Sequence, residues 1–314
     1  MNRWMIRIYC VCALLQGFRL SAGEKGFQFL RVGVTARGAA LGEAYTSQFG
    51  DVTTYLYNPA NVALLTQRQA AVGYMNHVMD IGSGYMAYAQ PTAKYGVLGG
   101  GILYFNYGDF QGYDAFGNET STFHASDFSL NLFHADQFRE NFYYGANLKF
   151  IHSSIEDYNS SALAMDLGMI YEYKPMLAAV GMSVQNLGFT TDAYVKKKEP
   201  LPLSLQIGAS KKLEKAPIVV SVNWSDLNLA GSIGDRIKRF AIGTEFNPKE
   251  NLFIRAGYNH QRRTELDLSS DKTLDRLAGF TAGIGFTYQR YRFDYAFASW
   301  GIGVLNRFSI SANF

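Results

Sequence analysis

The sequence predicts an all-β protein: a fourteen-stranded antiparallel transmembrane β-barrel preceded by a short helical plug. From residue 69 onward, apolar and polar residues alternate in short segments, which is the pattern of half-buried strands. Most of these segments have about 9–12 residues, the length that a tilted strand needs to cross a bilayer. The connectors between them alternate between short and long, as the turns and loops of outer-membrane barrels do. Together these observations predict a barrel embedded in a bacterial outer membrane.

The composition agrees with this fold class. The chain contains 31 glycines, 23 phenylalanines and 21 tyrosines but only 7 prolines, which suits a large antiparallel barrel. Beyond the first 23 residues no stretch of 18 or more apolar residues occurs, so the sequence predicts no membrane-spanning helix.

Residues 1–23 are expected to form a cleaved signal peptide. Arg3 and Arg7 precede a short apolar run, and small residues follow near Ala22. Both cysteines lie in this run, so the mature chain is expected to have no disulfide or thiol chemistry. Removing Arg3, Arg7 and Arg19 from the 29 basic residues leaves 26, equal to the 26 acidic residues. A net charge near zero gives no reason to expect a nucleic-acid partner.

Residues 24–68 do not alternate and are expected to form the plug. The stretch 34–48 predicts a helix rich in small residues, on which Gly38 and Gly42 leave one face bare beside Arg37. Asn58, Pro59 and Ala60 predict a turn. A periplasmic extension outside the barrel wall is the alternative for this segment.

Residues 69–314 are expected to form the barrel from a single chain. The predicted strands are 69–77, 82–90, 96–107, 124–134, 141–152, 163–173, 178–187, 202–211, 217–225, 239–247, 251–260, 277–288, 291–299 and 304–314. The longer connectors, assigned to the outside, are 108–123, 188–201, 226–238 and 261–276. The last strand places Phe308, Ile310 and Phe314 on one face and must pair with the first strand to close the barrel. We expect these three residues to form an assembly signal, with Phe314 as a lipid-interface anchor.

Charged residues on the inward faces predict ion pairs across the lumen. The expected pairs on neighbouring strands are Lys149 with Asp166, Glu245 with Arg255, and Asp294 with Arg307. If these charges were unpaired, they could instead line a pathway for a solute.

The outer loops are the expected partner-binding surface, because long loops carry recognition more often than barrel walls do. Aromatic and cationic residues suited to an interface occur in three of them: Phe110, Tyr113, Phe116, Lys196, Lys197, Lys198, Arg262 and Arg263. The three lysines could contact phosphates of lipopolysaccharide or an acidic partner. An ordinary solvated loop is the alternative.

The sequence predicts neither an enzyme nor a cofactor. The five histidines lack metal-ligand spacing, although four of them fall at the outer strand ends, where a metal site at the rim is conceivable. The ordinary explanation for these positions is that histidines, like other polar aromatic residues, occur at membrane interfaces. A surface lipid hydrolase would need a lipid-facing Ser–His pair, and no convincing pair is evident.

Several stretches resemble the PorV/PorQ family, a branch of the FadL-type fourteen-stranded outer-membrane barrels. The amino-terminal stretches are residues 27–30, 35–42 and 57–60, and residues 104–114, 145–151, 201–203 and 255–259 resemble the PorQ branch in particular. One departure is Glu43, where the family pattern suggests a second glycine.

The resemblance implies a non-enzymatic part in the attachment complex of the type IX secretion system. Such a barrel would anchor a PorZ-like surface protein, together with PorU and PorV, for attachment of cargo to lipopolysaccharide. The alternative function is a FadL-like channel for hydrophobic small molecules, because fold does not fix function.

Overall fold

The computed structural model describes residues 25–77, 81–265, 277–300 and 303–314. The expected signal peptide and parts of three predicted outer loops lie outside these residues. The described chain forms a closed barrel in which each strand pairs with the next and β14 pairs with β1. The strands are β1 (Gln69–Asn76), β2 (Gly82–Thr92), β3 (Gly96–Tyr113), β4 (Glu119–Arg139), β5 (Phe142–Ile155), β6 (Tyr158–Tyr173), β7 (Ala178–Asp192), β8 (Ser204–Lys212), β9 (Ile218–Trp224), β10 (Phe240–Lys249), β11 (Leu252–Asn259), β12 (Phe280–Tyr288), β13 (Tyr291–Ser299) and β14 (Val304–Asn313). The predicted fourteen-stranded antiparallel barrel is confirmed.

Closure between the first and last strands is continuous. Gln69 lies opposite Asn313 and Asn76 lies opposite Asn306, with unbroken antiparallel register between them. Every strand of the barrel therefore has two neighbours, and no unpaired sheet edge remains.

The two faces of the wall differ in polarity. Outward side chains are mostly apolar, and Phe308 and Ile310, for example, are 52% and 44% exposed. Inward side chains are mostly polar, charged or small. An apolar exterior around a polar interior is the pattern of a barrel whose outer surface contacts lipid.

The barrel has a turn end, with short connectors, and a loop end, with the longer ones. The first residue of β1 and the last residue of β14 both lie at the turn end. Within the described ranges, no helix has the length and apolar character needed to cross a bilayer.

Residues 25–68 lie inside the barrel and are called the plug below. Its backbone enters at the loop end, where Gly26 N donates to Pro200 O, and leaves at the turn end, where Phe314 N donates to Arg68 O. The plug contains helix α1 (Ala36–Ala40) and three 3-10 helices, Gln28–Arg31, Val52–Leu56 and Pro59–Leu64. It fills the lumen and does not form an extension outside the wall.

The predicted helix over residues 34–48 is wrong in length. Thr35 caps α1 by accepting a hydrogen bond from Gly38 N at 3.2 Å, and the helix ends at Ala40. Gly42 and Glu43 follow with φ of 65° and 69°. Two successive left-handed residues cannot continue a right-handed helix, so the chain turns here.

The predicted loop over residues 108–123 is also wrong, because β3 and β4 continue through most of it. Their register reaches Tyr113 opposite Glu119, so only residues 114–118 form the turn. The Asp114 carboxylate accepts from Phe116 N and Asn118 N and closes this turn. The neighbouring strands end earlier, so the β3–β4 hairpin projects beyond the rest of the wall.

Two other long connectors contain short helices. Helix α2 (Ile233–Ile237) begins at Ser232, which forms a capping box with Asp235. Helix α3 (His260–Glu265) follows β11 directly.

Candidate functional site

The plug approaches the wall closely at several glycines of the strands. Asn58, Pro59 and Ala60 pack against Gly145 and Gly168, where an added Cβ would collide with the plug backbone or the Asn58 side chain. Asn58 Nδ2 donates to Met169 O at 3.1 Å, while its Oδ1 accepts from Ala60 N at 3.1 Å. The predicted turn residues thus fix the plug to the wall near the turn end.

Gly42 makes a second close approach. A Cβ at this position would lie 2.8 Å from the backbone nitrogen of Tyr258 on β11. Asn259 Nδ2 donates to Gly42 O at 2.9 Å, so the same plug segment is also hydrogen-bonded to the wall. Gly38 faces the phenol of Tyr57 within the plug and does not contact the wall.

A network of charged side chains joins the plug to three strands. Arg37 binds Glu245 with two hydrogen bonds, 3.1 and 3.2 Å long. Arg255 bridges Glu245 and Asp294 at 2.7 Å each, and Arg292 lies 3.0 Å from Asp294. All five side chains are largely removed from solvent, and each arginine contacts at least one of the two carboxylates, as buried charges require.

The expected pair between Asp294 and Arg307 does not form. In the β13–β14 register Asp294 lies opposite Ser309, while Arg307 lies opposite Ala296, one step nearer the loop end. Arg307 Nε donates to Gly33 O at 2.9 Å, and its guanidinium lies 3.8 Å from the Glu43 carboxylate. Arg307 therefore binds the plug, whereas Asp294 belongs to the charged network around Arg255.

Lys149 and Asp166 form a separate buried pair. Lys149 Nζ lies 2.7 Å from Asp166 Oδ2 and donates to Asn186 Oδ1 at 2.8 Å. Asn186 N in turn donates to Asp166 Oδ1 at 2.8 Å. These contacts satisfy both charges.

A small cavity of mixed polar and apolar lining lies in the half of the lumen nearer the loop end. This cavity of about 100 Å³ lies between the plug and the wall, lined by residues that include Asn131, Lys149, Gln185 and Asp226. Its size and lining suit a few ordered water molecules.

A larger apolar cleft lies at the loop end, beside the β3–β4 hairpin. It has a volume of about 370 Å³. We call it the aromatic cleft and define it by six rings: Phe27, Phe29, Tyr107, Phe110, Phe123 and Tyr194. Two of these rings belong to the plug, three to the hairpin and one to the β7–β8 connector.

A β-bulge builds the hairpin side of this cleft. The β3–β4 register shifts by one residue between Asn106 and Asp109, and Gly108 within the bulge has φ of 80°. Because one extra residue reverses the face of every following side chain, Phe110 joins Phe123 on the cleft side. The two rings stack with centroids 5.4 Å apart.

The floor of the aromatic cleft is polar. Asp127 is 7% exposed, and its carboxylate accepts from the Tyr107 hydroxyl at 2.5 Å and from Ser153. The Tyr194 hydroxyl donates to Ser153 in turn. Among the described residues, no Lys or Arg nitrogen lies within 4.0 Å of this carboxylate.

The residues expected to bind a partner lie in different parts of the structure. Phe110 belongs to the cleft, whereas Tyr113 and Phe116 lie at the exposed tip of the hairpin, where Phe116 is 90% exposed. Lys196, Lys197 and Lys198 are exposed in the β7–β8 connector. Arg262 and Arg263 lie on α3, half-buried, and Arg262 donates to Arg31 O at 2.9 Å. Arg262 is thus committed to the plug.

One Ser–His pair does come together on the outer face. His152 Nδ1 lies 2.9 Å from Ser161 Oγ across the β5–β6 pairing. Within the described residues, the other ring nitrogen of His152 has no hydrogen-bond partner to orient it, so the pair lacks the third member of a hydrolytic triad. The described residues also contain no group of three His, Cys, Asp or Glu side chains that could hold a metal ion.

Sequence reasoning missed the floor of the cleft. Asp127 lies on the same inward face as Ala125, Ser129 and Asn131 in the alternation of β4, and that pattern could have identified it. The aromatic wall was harder to find, since it combines residues far apart in the chain with a bulge.

Solved structures of similar fold cover nearly the whole chain. The toluene transporter TodX of Pseudomonas putida has a TM-score of 0.65 and 14% sequence identity, covering 90% of this chain and 98% of its own. The toluene transporter TbuX of Ralstonia pickettii has a TM-score of 0.61 and 14% identity, with the same coverage. A FadL homologue of Pseudomonas aeruginosa has a TM-score of 0.53 and 11% identity, again covering 90% and 98%.

No protein-family model and no curated protein matches the sequence. The resemblance to the PorV/PorQ family is not supported by the structural matches and stays a prediction. Identities this low establish shared architecture alone. The chain therefore has the fold of the FadL-type barrels.

Proposed function

We propose that this protein is an outer-membrane barrel that binds small hydrophobic molecules at the aromatic cleft and admits them toward the lumen. The observation that carries this proposal is the cleft itself, an apolar space of about 370 Å³ at the loop end. Ligand sites for small molecules have volumes of about 300–1,000 Å³ and aromatic linings of this kind. Two structurally similar barrels are named as toluene transporters, which favours the same class of ligand.

Binding at the cleft is linked to transport because part of the cleft is formed by the plug. Phe27 and Phe29 line the cleft and lie at the start of the plug, so a bound molecule contacts the segment that fills the lumen. Passage would require this segment to move, since the cavity found between it and the wall in the described structure holds only about 100 Å³. The network around Arg37 would hold the deeper part of the plug in place meanwhile.

The test compares two aromatic residues of one hairpin. Phe123→Ala removes part of the cleft wall and should weaken toluene binding to the refolded barrel about fivefold, since an aromatic pair contributes roughly 1 kcal/mol. Phe116→Ala, at the exposed tip, is the matched control and should leave binding unchanged. Uptake of radiolabelled toluene by cells that express each variant should follow the same order. Equal binding by both variants, or none by the parent protein, would refute the proposal.

A second candidate function is the non-enzymatic scaffold of a type IX attachment complex. We propose it because the β3–β4 hairpin projects beyond the wall and exposes Tyr113 and Phe116 at its tip, and because of the motifs noted above. The occupant of this tip would be a PorZ-like surface protein, in a complex with PorU and PorV. Lys196, Lys197 and Lys198 at the same end are suited to phosphates of lipopolysaccharide.

Hairpin-tip and cleft variants separate the two candidates. A Tyr113→Ser/Phe116→Ser variant should abolish co-purification of the surface protein and reduce cargo attachment, while leaving toluene binding intact. Phe123→Ala should do the reverse. If deletion of the gene leaves cargo attachment to the cell surface intact, the scaffold function is refuted.

A further inference from the structure

The aromatic cleft combines an apolar wall with a carboxylate whose charge has no cationic partner. Asp127 is nearly buried, and the side chains that donate hydrogen bonds to it, Tyr107 and Ser153, are neutral hydroxyls. Three other buried carboxylates of the lumen, Asp166, Glu245 and Asp294, each face Lys or Arg, whereas Asp51 accepts from Tyr45 and Thr53 within the plug and does not line the cleft. Asp127 is the one among these five that lines the cleft.

Titratable side chains on the same strand and on the neighbouring strand have hydrogen-bond or ion-pair partners of their own. His124, on the same strand, binds Asp109 at the exposed rim, 3.1 Å away. His152 is hydrogen-bonded to Ser161 on the outward face of the wall. Lys149, one strand away, is committed to Asp166 and Asn186. A cationic ligand would give Asp127 the counter-ion that the described Lys and Arg side chains do not provide.

The rings above this carboxylate suit a cation as well as an apolar body. Phe110 and Phe123 stack with nearly parallel planes at the cleft wall, and Tyr107 and Tyr194 add two phenol rings near the floor. An ammonium group is attracted to the faces of aromatic rings, more strongly where water is excluded. Carboxylate and rings together offer a cationic head both a counter-ion and an aromatic surround.

We propose that the aromatic cleft selects small arylalkylamines in their ammonium form, with the charged head on Asp127 and the ring against Phe110 and Phe123. This inference rests on the proposed function of the cleft and names its preferred ligand class. Neutral hydrocarbons of the same shape would still bind through the aromatic wall, but more weakly, because they leave the carboxylate without a counter-ion.

The experiment compares two isosteric probes, 2-phenylethylammonium and n-propylbenzene, by calorimetric titration of the refolded full-length barrel in detergent. The ammonium probe should bind about tenfold more tightly, as expected for a desolvated cation beside aromatic rings and a carboxylate. Asp127→Asn should remove this preference and leave n-propylbenzene binding unchanged. Phe110→Ala should weaken both probes and preserve their ratio.

The outcomes separate this inference from the proposed function. If n-propylbenzene binds as tightly as the ammonium probe, the amine preference is refuted while the hydrophobic site stands. If neither probe binds, both are refuted. If the ammonium probe keeps its advantage in Asp127→Asn, the cation lies elsewhere and the assignment is overturned.

Should Asp127→Asn fail to fold, Tyr107→Phe provides the second test. This change removes one hydroxyl donor from the carboxylate, so the affinity for the ammonium probe should rise about twofold or more. A loss of that affinity would contradict a direct contact between the head group and Asp127.

Discussion

Gly42 offers the sharpest test of how the plug is seated. We predict that Gly42→Ala destabilises the folded barrel by about 2–5 kcal/mol. Two costs add: the left-handed backbone, with φ of 65°, costs an alanine roughly 1–2 kcal/mol, and overpacking against a neighbour costs about 1–3 kcal/mol. The second cost arises because the new Cβ would lie 2.8–3.0 Å from backbone atoms of Tyr258, which belongs to the wall and cannot rotate away.

Gly50→Ala is the matched control. Gly50 also lies in the plug with a left-handed φ of 81°, but a Cβ there has nothing within 4 Å. Its substitution should cost only the backbone part, about 1–2 kcal/mol. The difference between the two variants, about 1–3 kcal/mol, measures the contact between plug and wall.

The assay is urea unfolding of each variant in lipid vesicles, followed by tryptophan fluorescence and extrapolated to water. Trypsin cleavage after Arg37, which is buried in the seated plug, gives an independent readout and should accelerate in Gly42→Ala alone. If both variants lose equal stability and resist trypsin equally, the close approach at Tyr258 does not hold the plug.

Three further changes test other parts of the molecule. Lys149→Met leaves the buried Asp166 without its cation and should cost about 3–5 kcal/mol of unfolding free energy, which a double Lys149→Met/Asp166→Asn variant should partly restore; no recovery would contradict the pairing. Although burial opposes it, the Arg31 guanidinium holds the pKa of Asp226, in the β9–β10 connector, below its ordinary value of 3.8. A carboxyl whose folded pKa is depressed stabilises above its unfolded pKa and loses this effect as pH falls through the folded pKa. Asp226→Asn should therefore destabilise by about 1–3 kcal/mol at pH 7, and the difference from the parent should shrink below pH 3.8; a constant difference across this range would refute the linkage. Removing Phe314 should slow insertion into vesicles, while the molecules that insert keep normal stability. Insertion is measured by the electrophoretic mobility of the folded barrel, which changes on heating. Unchanged insertion kinetics would refute the role of Phe314 as an assembly signal.

The barrel itself could be predicted from the sequence. Alternation with a period of two places residues such as Phe308 and Ile310 on one face, and it repeats over enough segments to count the strands. Since side chains on neighbouring strands are close, the same alternation also placed Lys149 near Asp166 and Glu245 near Arg255. These are local or nearest-neighbour properties, which the order of residues along the chain determines.

The plug helix and the outer hairpin were predicted less well. The small residues of 34–48 indicated a short helix over that stretch, but Gly42 and Glu43 adopt left-handed conformations that end α1 at Ala40. Likewise, the glycines and polar residues of 108–123 indicated a loop, whereas strand pairing continues through most of it. In both places contacts with the wall or across the hairpin outweigh local preference.

Only the tertiary structure decided the lumen contacts and the aromatic cleft. The stagger between β13 and β14 separates Asp294 from Arg307, and the sequence contains no sign of that stagger. The bulge at Gly108 adds one residue to β3, which turns Phe110 toward Phe123 and Asp127. Alternation alone determined that this chain forms a fourteen-stranded barrel. The path of the plug and a single extra residue in one strand determined where it can hold a ligand, because both depend on contacts between distant parts of the chain.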